Sequence, residues 1–318
     1  MNEILETTKY VVDNSEHVSI NYDALIKIST GFKEQKMSHW LEDSPIDFNN
    51  LTDEQKLNFI LVFSAISFSY WGMPKWTVEY EGKQIDGSYG LMIALSRALK
   101  EGISVLDLHY LANLKKEDFE HILRANTPIP LFKEHLKILN EIGTVLVQKY
   151  NADFASFIKK GDKDINILRR LIISEMPSFH DSVEYKDKKI YFHKRVQVLI
   201  SDVHQVFHGK GLGEFKNSHE LTAGADYKLP QILRKFGVLE YSEELAEKID
   251  NKIPLEAGSE EETEIRANTI WAIEMIKDEL NKHGKICSSM EVNDHLWNLT
   301  QIKREDDKPY HLVRTSAY

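Results

Sequence analysis

An aspartate in an unusual setting is the first candidate for chemistry in this chain. Asp226 lies among small and apolar residues in the segment 222–231, TAGADYKLPQ, four positions before a proline that can begin a helix. A carboxylate in such a segment is expected to be held in place and partly desolvated. Desolvation is costly unless the group has a partner or a task, so Asp226 is a candidate catalytic residue.

A second carboxylate, Asp202, lies on a helix predicted over 194–208, whose apolar residues at helical spacing form a buried face that Asp202 borders. Two interpretations stay open for it: a structural aspartate bonded to a neighbouring loop, or a ligand-binding carboxylate. Lys194 and Arg195 begin the same helix, where cations oppose the helix dipole. Two interpretations are open for these cations. Either they are a solvated basic pair, or Lys194 neutralises the charge of Asp226 or of a substrate. Together the two aspartates indicate hydrolytic chemistry.

Histidine, arginine and tryptophan residues add weaker candidates. His204 and His208 have the spacing of a zinc site, but the glutamate of a metalloprotease helix and a third ligand are missing, so no metal is predicted. Arg266 lies between apolar neighbours on a helix, where an arginine usually pairs with a carboxylate or a phosphate. Trp271 and Trp297 are typical of a hydrophobic core. The alternative is that their rings form a wall of the site on which the base of a ligand stacks.

Composition limits the class of protein. The 318 residues carry a net charge of −10, which disfavours a nucleic-acid surface because phosphate contacts need clustered positive charge. The one cysteine, Cys287, excludes an internal disulfide and is typical of a reducing compartment. There is no secretory signal pattern, and the apolar run 59–71 is too short to span a bilayer. We therefore predict a cytoplasmic protein with no membrane partner.

Helical patterns dominate the chain and predict a mainly α fold. We expect one domain over residues 1–318, in which residues 1–50 form an N-terminal helical extension. Capping boxes at 52–55 and 259–262 begin two of the helices. Two small β-hairpins decorate the helices, at residues 76–86 and 183–192.

A helix-hairpin-helix core is predicted between residues 229 and 245. Pro230 suits the first turn of a helix, Gly237 its C-terminal cap, and Ser242 the N-cap of the next helix. Such a unit usually packs helices. As a DNA-binding device it would need basic flanks, and the flanks here are acidic.

Six segments form a more specific set: FSYW at 68–71, KRVQVLISD at 194–202, ADYKLPQ at 225–231, EIR at 264–266, LW at 296–297 and PYHLVRT at 309–315. In this order and spacing they resemble the queuosine salvage protein family. The resemblance extends from about residue 59 to residue 318.

The resemblance implies an enzyme, a queuosine 5′-phosphate N-glycosidase. Hydrolysis of the N-glycosidic bond would release queuine, for reinsertion into tRNA, and ribose 5-phosphate. The family's fold is similar to that of the helix-hairpin-helix DNA glycosylases, in agreement with the segment described above. By position, Asp226 corresponds to the family's catalytic aspartate, and Lys194 and Asp202 correspond to active-site residues.

Each candidate then has an expected role. The Asp226 carboxylate would stabilise or attack an oxocarbenium-like C1′, or activate water, and Lys194 would keep it ionised. Asp202 would accept the N1–H and N2–H donors of the guanine-like edge of the base. The further substrate-binding candidates are aromatic residues beside the base and cationic or histidine side chains for the 5′-phosphate: Trp71, Tyr227, Trp271, Trp297, Arg266, His311 and Arg314.

Departures from the family pattern concern the shape of the pocket. Gly224 replaces a larger apolar residue, and Asn293 stands where an aspartate is common. Substrate preference therefore stays open, and hydrolysis of another purine or deazapurine nucleotide or nucleoside is the alternative. A second alternative is a non-catalytic helix-hairpin-helix binding protein, in which Asp202 and Asp226 would be exposed and far apart. The expected partner is the small-molecule substrate, with no cofactor and no nucleic acid, and the oligomeric state is left open.

Overall fold

The computed structural model of the protein describes residues 2–318 and is mainly helical, as the sequence predicts. In chain order the α-helices α1 to α14 span Glu3–Asp13, Tyr22–Phe32, Asp53–Ala65, Gly87–Lys100, Leu108–Ala112, Lys116–Ile122, Phe132–Tyr150, Phe154–Lys159, Ile165–Glu175, Lys194–Val206, Lys228–Lys235, Glu243–Asp250, Glu260–Lys282 and Ser289–Gln301. None of the helices described within residues 2–318 has the length and apolar character needed to cross a membrane.

Pairs of short antiparallel strands accompany the helices. In chain order β1 to β6 span Val18–Ile20, Thr77–Tyr80, Lys83–Asp86, Ser182–Tyr185, Lys188–Tyr191 and Leu239–Tyr241. The pairs β2–β3 and β4–β5 are the two predicted hairpins. A further pair joins β1 to β6, with Val18 opposite Tyr241. The sequence interpretation lacked this pair, because strands of three residues are too short to show a period and the partners lie far apart in the chain.

Side-chain caps begin the helices near the predicted positions. Thr52 accepts the backbone N–H of Gln55, and the Gln55 side chain accepts the N–H of Thr52, which completes the capping box of α3. At α13, Ser259 accepts the N–H of Glu262. The Glu262 carboxylate, however, accepts the N–H of Gly258 rather than that of Ser259, so only half of the second predicted box forms.

The helix α3 ends earlier than its apolar pattern predicts. It stops at Ala65 instead of near Tyr70. Beyond it Ser69 has a left-handed backbone, with φ of 48°, and its N–H donates to the carbonyl of Tyr318 at 3.0 Å. The last residues of the chain therefore replace the helical hydrogen bonds of this segment.

The helix α10 also ends early, at Val206. His208 lies beyond its end with φ of 53°, so His204 and His208 do not share a helix face. His204 instead has Nδ1 2.8 Å from the carbonyl oxygen of Gly213. Within residues 2–318, no three His, Cys, Asp or Glu side chains come together in a group that could hold a metal ion.

The apolar side chains form two buried clusters. The first contains residues of α3, α4 and α7 together with Val196 and Leu199 of α10. The second surrounds α13, which packs against α1, α2 and α14. Trp297 of α14 packs against both clusters. The polar residues around Trp297 are thus positioned by both clusters.

The N-terminal residues are tied to this framework. In α1 and α2, Ile4 and Leu25 have no exposed surface. The buried carboxylate of Glu264 in α13 accepts the backbone N–H groups of residues 16–18, at 2.6 to 3.1 Å. Because these contacts satisfy both the carboxylate and the strand β1, they fix the path of the chain that leads to Trp40.

A close helix crossing tests this packing. A Cβ atom on Gly143 of α7 would lie 2.3 Å from the backbone nitrogen of Ala112 in α5. We therefore expect Gly143→Ala to lower the free energy of unfolding by about 2–3 kcal/mol through overpacking, measured by urea denaturation. Gly31→Ala in α2 is the control, because no atom lies within 4 Å of its added Cβ. Equal midpoints for the two variants would contradict the close contact between α5 and α7.

Candidate active site

A cleft with two chambers lies where the two apolar clusters meet. The outer and the inner chamber adjoin each other, and each is lined by polar and aromatic side chains. Five residues line both chambers and therefore mark their junction: Ser67, Ser88, Lys194, Asp226 and Trp297. Asp226 and Lys194, which the sequence pattern singled out separately, are thus neighbours in space.

Asp226 is held by the first turn of α11. Its Oδ1 atom accepts the backbone N–H groups of Lys228 at 2.7 Å and of Leu229 at 3.1 Å. These hydrogen bonds fix the orientation of the carboxylate. Because both of them use Oδ1, the other oxygen, Oδ2, is available to a ligand in the cleft.

Lys194 begins α10 and is buried. Asp181 offsets the unfavourable position of a cation at a helix N-terminus, since its Oδ2 accepts the backbone N–H of Lys194 at 3.2 Å. Burial lowers the pKa of the Lys194 ammonium, while the nearby Asp226 carboxylate opposes that shift. The carboxylate at the junction thus favours the charged form of the Lys194 ammonium.

Arg266 lies behind this junction. Its guanidinium donates to both oxygens of Asp181, at 3.0 and 2.7 Å, and is 1% exposed. Its Nε donates to the carbonyl of Ala225 at 3.4 Å, directly before Asp226. The sequence suggested a carboxylate or a phosphate as the partner of Arg266, and in the structure the partner is the carboxylate of Asp181. The ion pair anchors both segments of chain that carry Lys194 and Asp226.

Asp202 lies behind the inner chamber with no exposed surface. Its Oδ1 accepts the indole N–H of Trp40 at 2.9 Å, and its Oδ2 is buried without a hydrogen-bond partner in the described chain. Trp40 itself lines the inner chamber. The first interpretation of Asp202, a structural aspartate bonded to a neighbouring loop backbone, does not apply. The partner of Asp202 is the side chain of Trp40, which lines the inner chamber.

A second buried carboxylate, Asp294 of α14, faces the inner chamber. His39 lies between the two acids, with Nε2 3.5 Å from Asp202 Oδ1 and 3.4 Å from Asp294 Oδ2. Nδ1 of His39 accepts the N–H of Leu41 at 3.1 Å, which assigns the ring proton to Nε2. Neutral His39 therefore places its N–H close to both acids, without a hydrogen bond to either in the described chain.

Burial keeps this acidic cluster protonated near neutral pH. It raises the pKa of the Asp202 carboxyl to about 8, against the Trp40 hydrogen bond and the charge of Lys194. Burial, and then the proximity of Asp202, raise the pKa of Asp294 well above its usual range. Burial also lowers the pKa of His39 to about 3. The inner chamber therefore offers carboxyl groups that can both donate and accept hydrogen bonds.

Aromatic rings form the walls of the outer chamber. Tyr227 and Tyr310 have ring centroids 4.7 Å apart, and Trp71 lies on the same lining. Trp297 stands at the junction with its ring 5.4 Å from that of Trp40. Three aromatic residues named from the sequence, Trp71, Tyr227 and Trp297, are therefore brought together in the cleft.

Four residues predicted to contact the substrate line neither chamber. Arg266 is enclosed by its ion pair, as described. Trp271 faces α1, where its indole N–H donates to Thr8 Oγ1 at 3.1 Å. His311 is buried, its Nε2 lies 3.1 Å from the hydroxyl oxygen of Tyr318, and burial lowers its pKa to about 3, so it is uncharged. Arg314 covers the ring of Trp71 at 3.6 Å.

Lysines that the sequence interpretation missed lie at the outer end of the cleft. Lys75, Lys228 and Lys303 line the outer chamber together with the carboxylate of Asp86. Asp86 lies 3.2 Å from Lys75 and 3.5 Å from Lys303, while Lys228 extends over the ring of Tyr310. Three cations and two carboxylates, Asp86 and the Asp226 of the junction, lie along this chamber, so its outer end keeps an excess of positive charge that is suitable for an anion.

Gly224 lies against the stem of Lys194. An added Cβ would be 3.0 Å from Val198 Cγ2 and 3.4 Å from Lys194 Cγ, so a larger residue would require these side chains to shift. Its N–H donates to Asn293 Oδ1 at 3.0 Å, and Asn293 Nδ2 donates to Asp294 at 2.9 Å. Gly224 and Asn293, two of the positions that depart from the family pattern, thus contact each other beside the inner chamber.

The family model described as queuosine salvage protein matches residues 48–318. The chain belongs to the queuosine salvage protein family. A relative from Sphaerobacter thermophilus, named queuosine 5′-phosphate N-glycosylase/hydrolase, is 34% identical over 323 residues, which cover 99% of this chain and 97% of its own. Relatives with the same name from Bos taurus and Schizosaccharomyces pombe are 34% and 27% identical, and cover 98% and 95% of this chain and 98% and 92% of their own.

The match to the queuosine salvage family includes nearly all of the cleft. Every residue that lines the two chambers lies within 48–318 except Trp40, which the N-terminal segment contributes. His39 and Trp40 carried no sequence signal because they lie far from the motifs. Asp294 could have been found as a second carboxylate next to the Leu-Trp pair.

The raised pKa of Asp202 predicts a specific pH dependence of stability. Its folded pKa of about 8 exceeds the ordinary value of 3.8, so the native state holds the proton in the interval where the unfolded state loses it. Stability therefore falls as pH rises from 4 to 8, with a slope of up to about 1.4 kcal/mol per pH unit from this group.

Asp202→Asn should remove that contribution, so the variant gains stability relative to the original protein between pH 5 and pH 8. The measurement is urea denaturation at several pH values. Asp118→Asn, on the exposed surface of α6, is the matched control and should show a constant difference. A constant difference for Asp202→Asn as well would disprove a protonated Asp202.

Proposed function

We propose that this protein hydrolyses the N-glycosidic bond of queuosine 5′-phosphate to give queuine and ribose 5-phosphate. The observation that carries the proposal is the position of Asp226, which lies at the junction of an acid-lined inner chamber and a lysine-rich outer chamber. A nucleotide has the same polarity, with a base at one end, a phosphate at the other and C1′ between them. The name shared by the relatives supports this substrate.

At the junction, Asp226 acts on C1′. The C1′–N bond breaks, a C1′–O bond to water forms, one water proton goes to the departing base, and the other stays on the sugar hydroxyl that is formed. A fixed carboxylate beneath C1′ stabilises the oxocarbenium-like state and can accept the proton of the attacking water or attack C1′ itself. Lys194 keeps that carboxylate ionised in a partly desolvated site.

In the inner chamber, the acidic cluster binds the base. Queuine is a 7-deazaguanine, so it cannot be protonated at N7 to help it leave. Protonated Asp294, which lines the chamber, can donate to the electron-rich base as it departs, and its ionised form can accept the N1–H and N2–H groups of the base. Trp297 and Tyr227 supply ring faces for stacking. Asp202 acts through Trp40 and His39, because no surface of it is open to the chamber.

At the outer end, we assign the 5′-phosphate to Lys75, Lys228 and Lys303. This replaces the expectation of Arg266, His311 and Arg314, because none of these lines the cleft and Arg266 is neutralised by Asp181. Burial and the nearby Lys75 lower the pKa of Lys228, and a bound dianion would compensate for both effects.

We further propose that α11 and α12 form a helix-hairpin-helix core similar to that of DNA glycosylases. Gly237 supports it with φ of 73°, and Ser242 accepts the N–H of Leu245 at the start of α12. The strand β6 lies between the two helices. In this arrangement the first turn of α11 presents Asp226 to the cleft. The unpaired thiol of Cys287 supports a cytoplasmic setting.

A direct assay decides the function. The protein is incubated with queuosine 5′-phosphate, queuosine and GMP, and free base is detected by mass spectrometry. Release from queuosine 5′-phosphate alone, or from it fastest, is expected. Release from GMP at an equal or higher rate would favour a hydrolase of other purine nucleotides. No release from any of them would favour the non-catalytic protein, against which the buried Asp202 and the shared cleft already argue.

Asp226→Asn tests the catalytic assignment. The amide still accepts the N–H groups of α11, so the variant should fold and bind queuine while kcat falls by roughly 10²–10⁴-fold. Asp153→Asn is the matched control, because Asp153 also caps a helix, α8, but lies outside the cleft. Turnover of Asp226→Asn within twofold of the original protein would exclude Asp226 as the catalytic carboxylate.

Lys75→Ala combined with Lys303→Ala tests the phosphate assignment. We expect the preference for queuosine 5′-phosphate over queuosine, measured as the ratio of kcat/KM, to fall about tenfold, since charge-assisted contacts to the phosphate are lost. The control is Lys133→Ala on the exposed surface at the start of α7, which should leave the ratio unchanged. An equal loss for both substrates would show that the lysines do not bind the phosphate.

A further inference from the structure

A groove continues outward from the lysine-rich end of the cleft. Its volume is about 260 Å³, and it shares Lys75, Lys228, Thr300, Lys303 and Tyr310 with the outer chamber. A substituent on the 5′-phosphate of a bound nucleotide would therefore extend directly into this groove. Hydrolysis of a mononucleotide does not require such a space.

The groove is positively charged although the chain as a whole carries −10. Six cationic side chains line it, and four carboxylates pair with them (Asp86, Asp250, Asp306 and Asp307), which leaves an excess of two positive charges. Lys235 is neutralised by two of these aspartates. In the described chain the Arg304 guanidinium makes no ion pair within 4 Å, although its backbone N–H donates to Asp307, and Lys308 has only Asp250 at 3.8 Å. These two cations are the ones available to an anion beyond the first phosphate.

The floor of the groove is apolar and partly aromatic. Ile232, Phe236 and Leu299 form it, and Ile302 stands on the rim with 58% of its surface exposed. An open apolar surface between cations matches a ligand that combines a flat ring with phosphate. Inorganic phosphate or a second monophosphate would leave this floor uncovered.

We propose that this groove binds a second nucleotide joined to the 5′-phosphate, so that the enzyme also accepts a dinucleotide with queuosine at its 3′ position. The bridging phosphodiester lies among Lys75, Lys228 and Lys303, and the 5′ nucleoside covers Ile232 and Phe236. Arg304 and Lys308 bind the 5′-terminal phosphate of the second nucleotide at its outer end. The proposal rests on the function proposed above and widens its substrate class from mononucleotides to short 5′-extended nucleotides.

The chemistry at C1′ is unchanged in this reaction. The C1′–N bond of the queuosine unit breaks, water supplies the new C1′–O bond, and one proton goes to the base. The phosphodiester stays intact, so the second product is the 5′ nucleoside joined through phosphate to ribose. Its mass differs from that of ribose 5-phosphate, so mass spectrometry distinguishes direct hydrolysis of the dinucleotide from a route in which a contaminating nuclease cuts the phosphodiester first.

The test compares 5′-phosphorylated uridylyl-(3′→5′)-queuosine with queuosine 5′-phosphate on the intact protein, with both products followed by mass spectrometry. We expect queuine and an intact product in which 5′-phosphouridine stays joined through phosphate to ribose. The kcat/KM should lie within about tenfold of that for the mononucleotide, because one charge is lost from the bridging phosphate and the groove contacts replace it. The KM of the dinucleotide should also rise as salt is added.

Arg304→Ala combined with Lys308→Ala supplies the structural control. The ratio of kcat/KM for dinucleotide over mononucleotide should fall about fivefold or more, since two partly exposed cations are removed. Lys163→Ala combined with Lys216→Ala is matched in charge and exposure, lies outside the cleft and the groove, and should leave that ratio unchanged.

Three results would overturn the proposal. The first is hydrolysis of queuosine 5′-phosphate without any hydrolysis of the dinucleotide. This result would leave the proposed function intact and show that the groove does not bind a second nucleotide. The second is dinucleotide hydrolysis with an unchanged ratio in the Arg304 and Lys308 variant. The third is no queuine from either substrate, in which case the proposed function fails together with the groove.

Discussion

The buried ion pair between Arg266 and Asp181 is the interaction on which the candidate site depends. Its two hydrogen bonds satisfy a fully enclosed guanidinium, and the same groups reach the two segments that matter most. Asp181 binds the first N–H of the helix that begins with Lys194, and Arg266 binds the carbonyl that precedes Asp226. Removal of one partner would leave an uncompensated buried charge, which typically costs about 3–5 kcal/mol.

The two ends of the cleft differ in charge because they differ in exposure. At the inner end the carboxyl groups are excluded from water and retain protons, so they can donate hydrogen bonds to a base. At the outer end Lys75 and Lys303 are exposed to solvent. Asp226 stands between these regions, half-buried and held by two backbone N–H groups. A nucleotide with a base at one end and a phosphate at the other matches this gradient.

Local sequence patterns predicted a large part of this arrangement. The capping residues, the turn glycines and the apolar stripes indicated the helices and both hairpins, since these features depend on neighbours within a few residues. The same holds for Asp226, Lys194 and Asp202, because a charged residue inside an apolar or helix-start pattern is costly wherever the chain goes. The sequence also carried the family motifs, and the match over residues 48–318 confirms that family.

Only the tertiary structure decided which of these residues face a ligand. Arg266 and His311 look like phosphate ligands in sequence, yet contacts with Asp181 and Tyr318 enclose them. Trp40 reaches Asp202 because the N-terminal helices pack on α13, and the pairing of β1 with β6 is equally distant in sequence. A surface lysine has no local signature, so the cluster at the outer end was invisible too. Burial and long-range contact depend on the whole fold, whereas helix starts and desolvation costs depend on neighbouring residues.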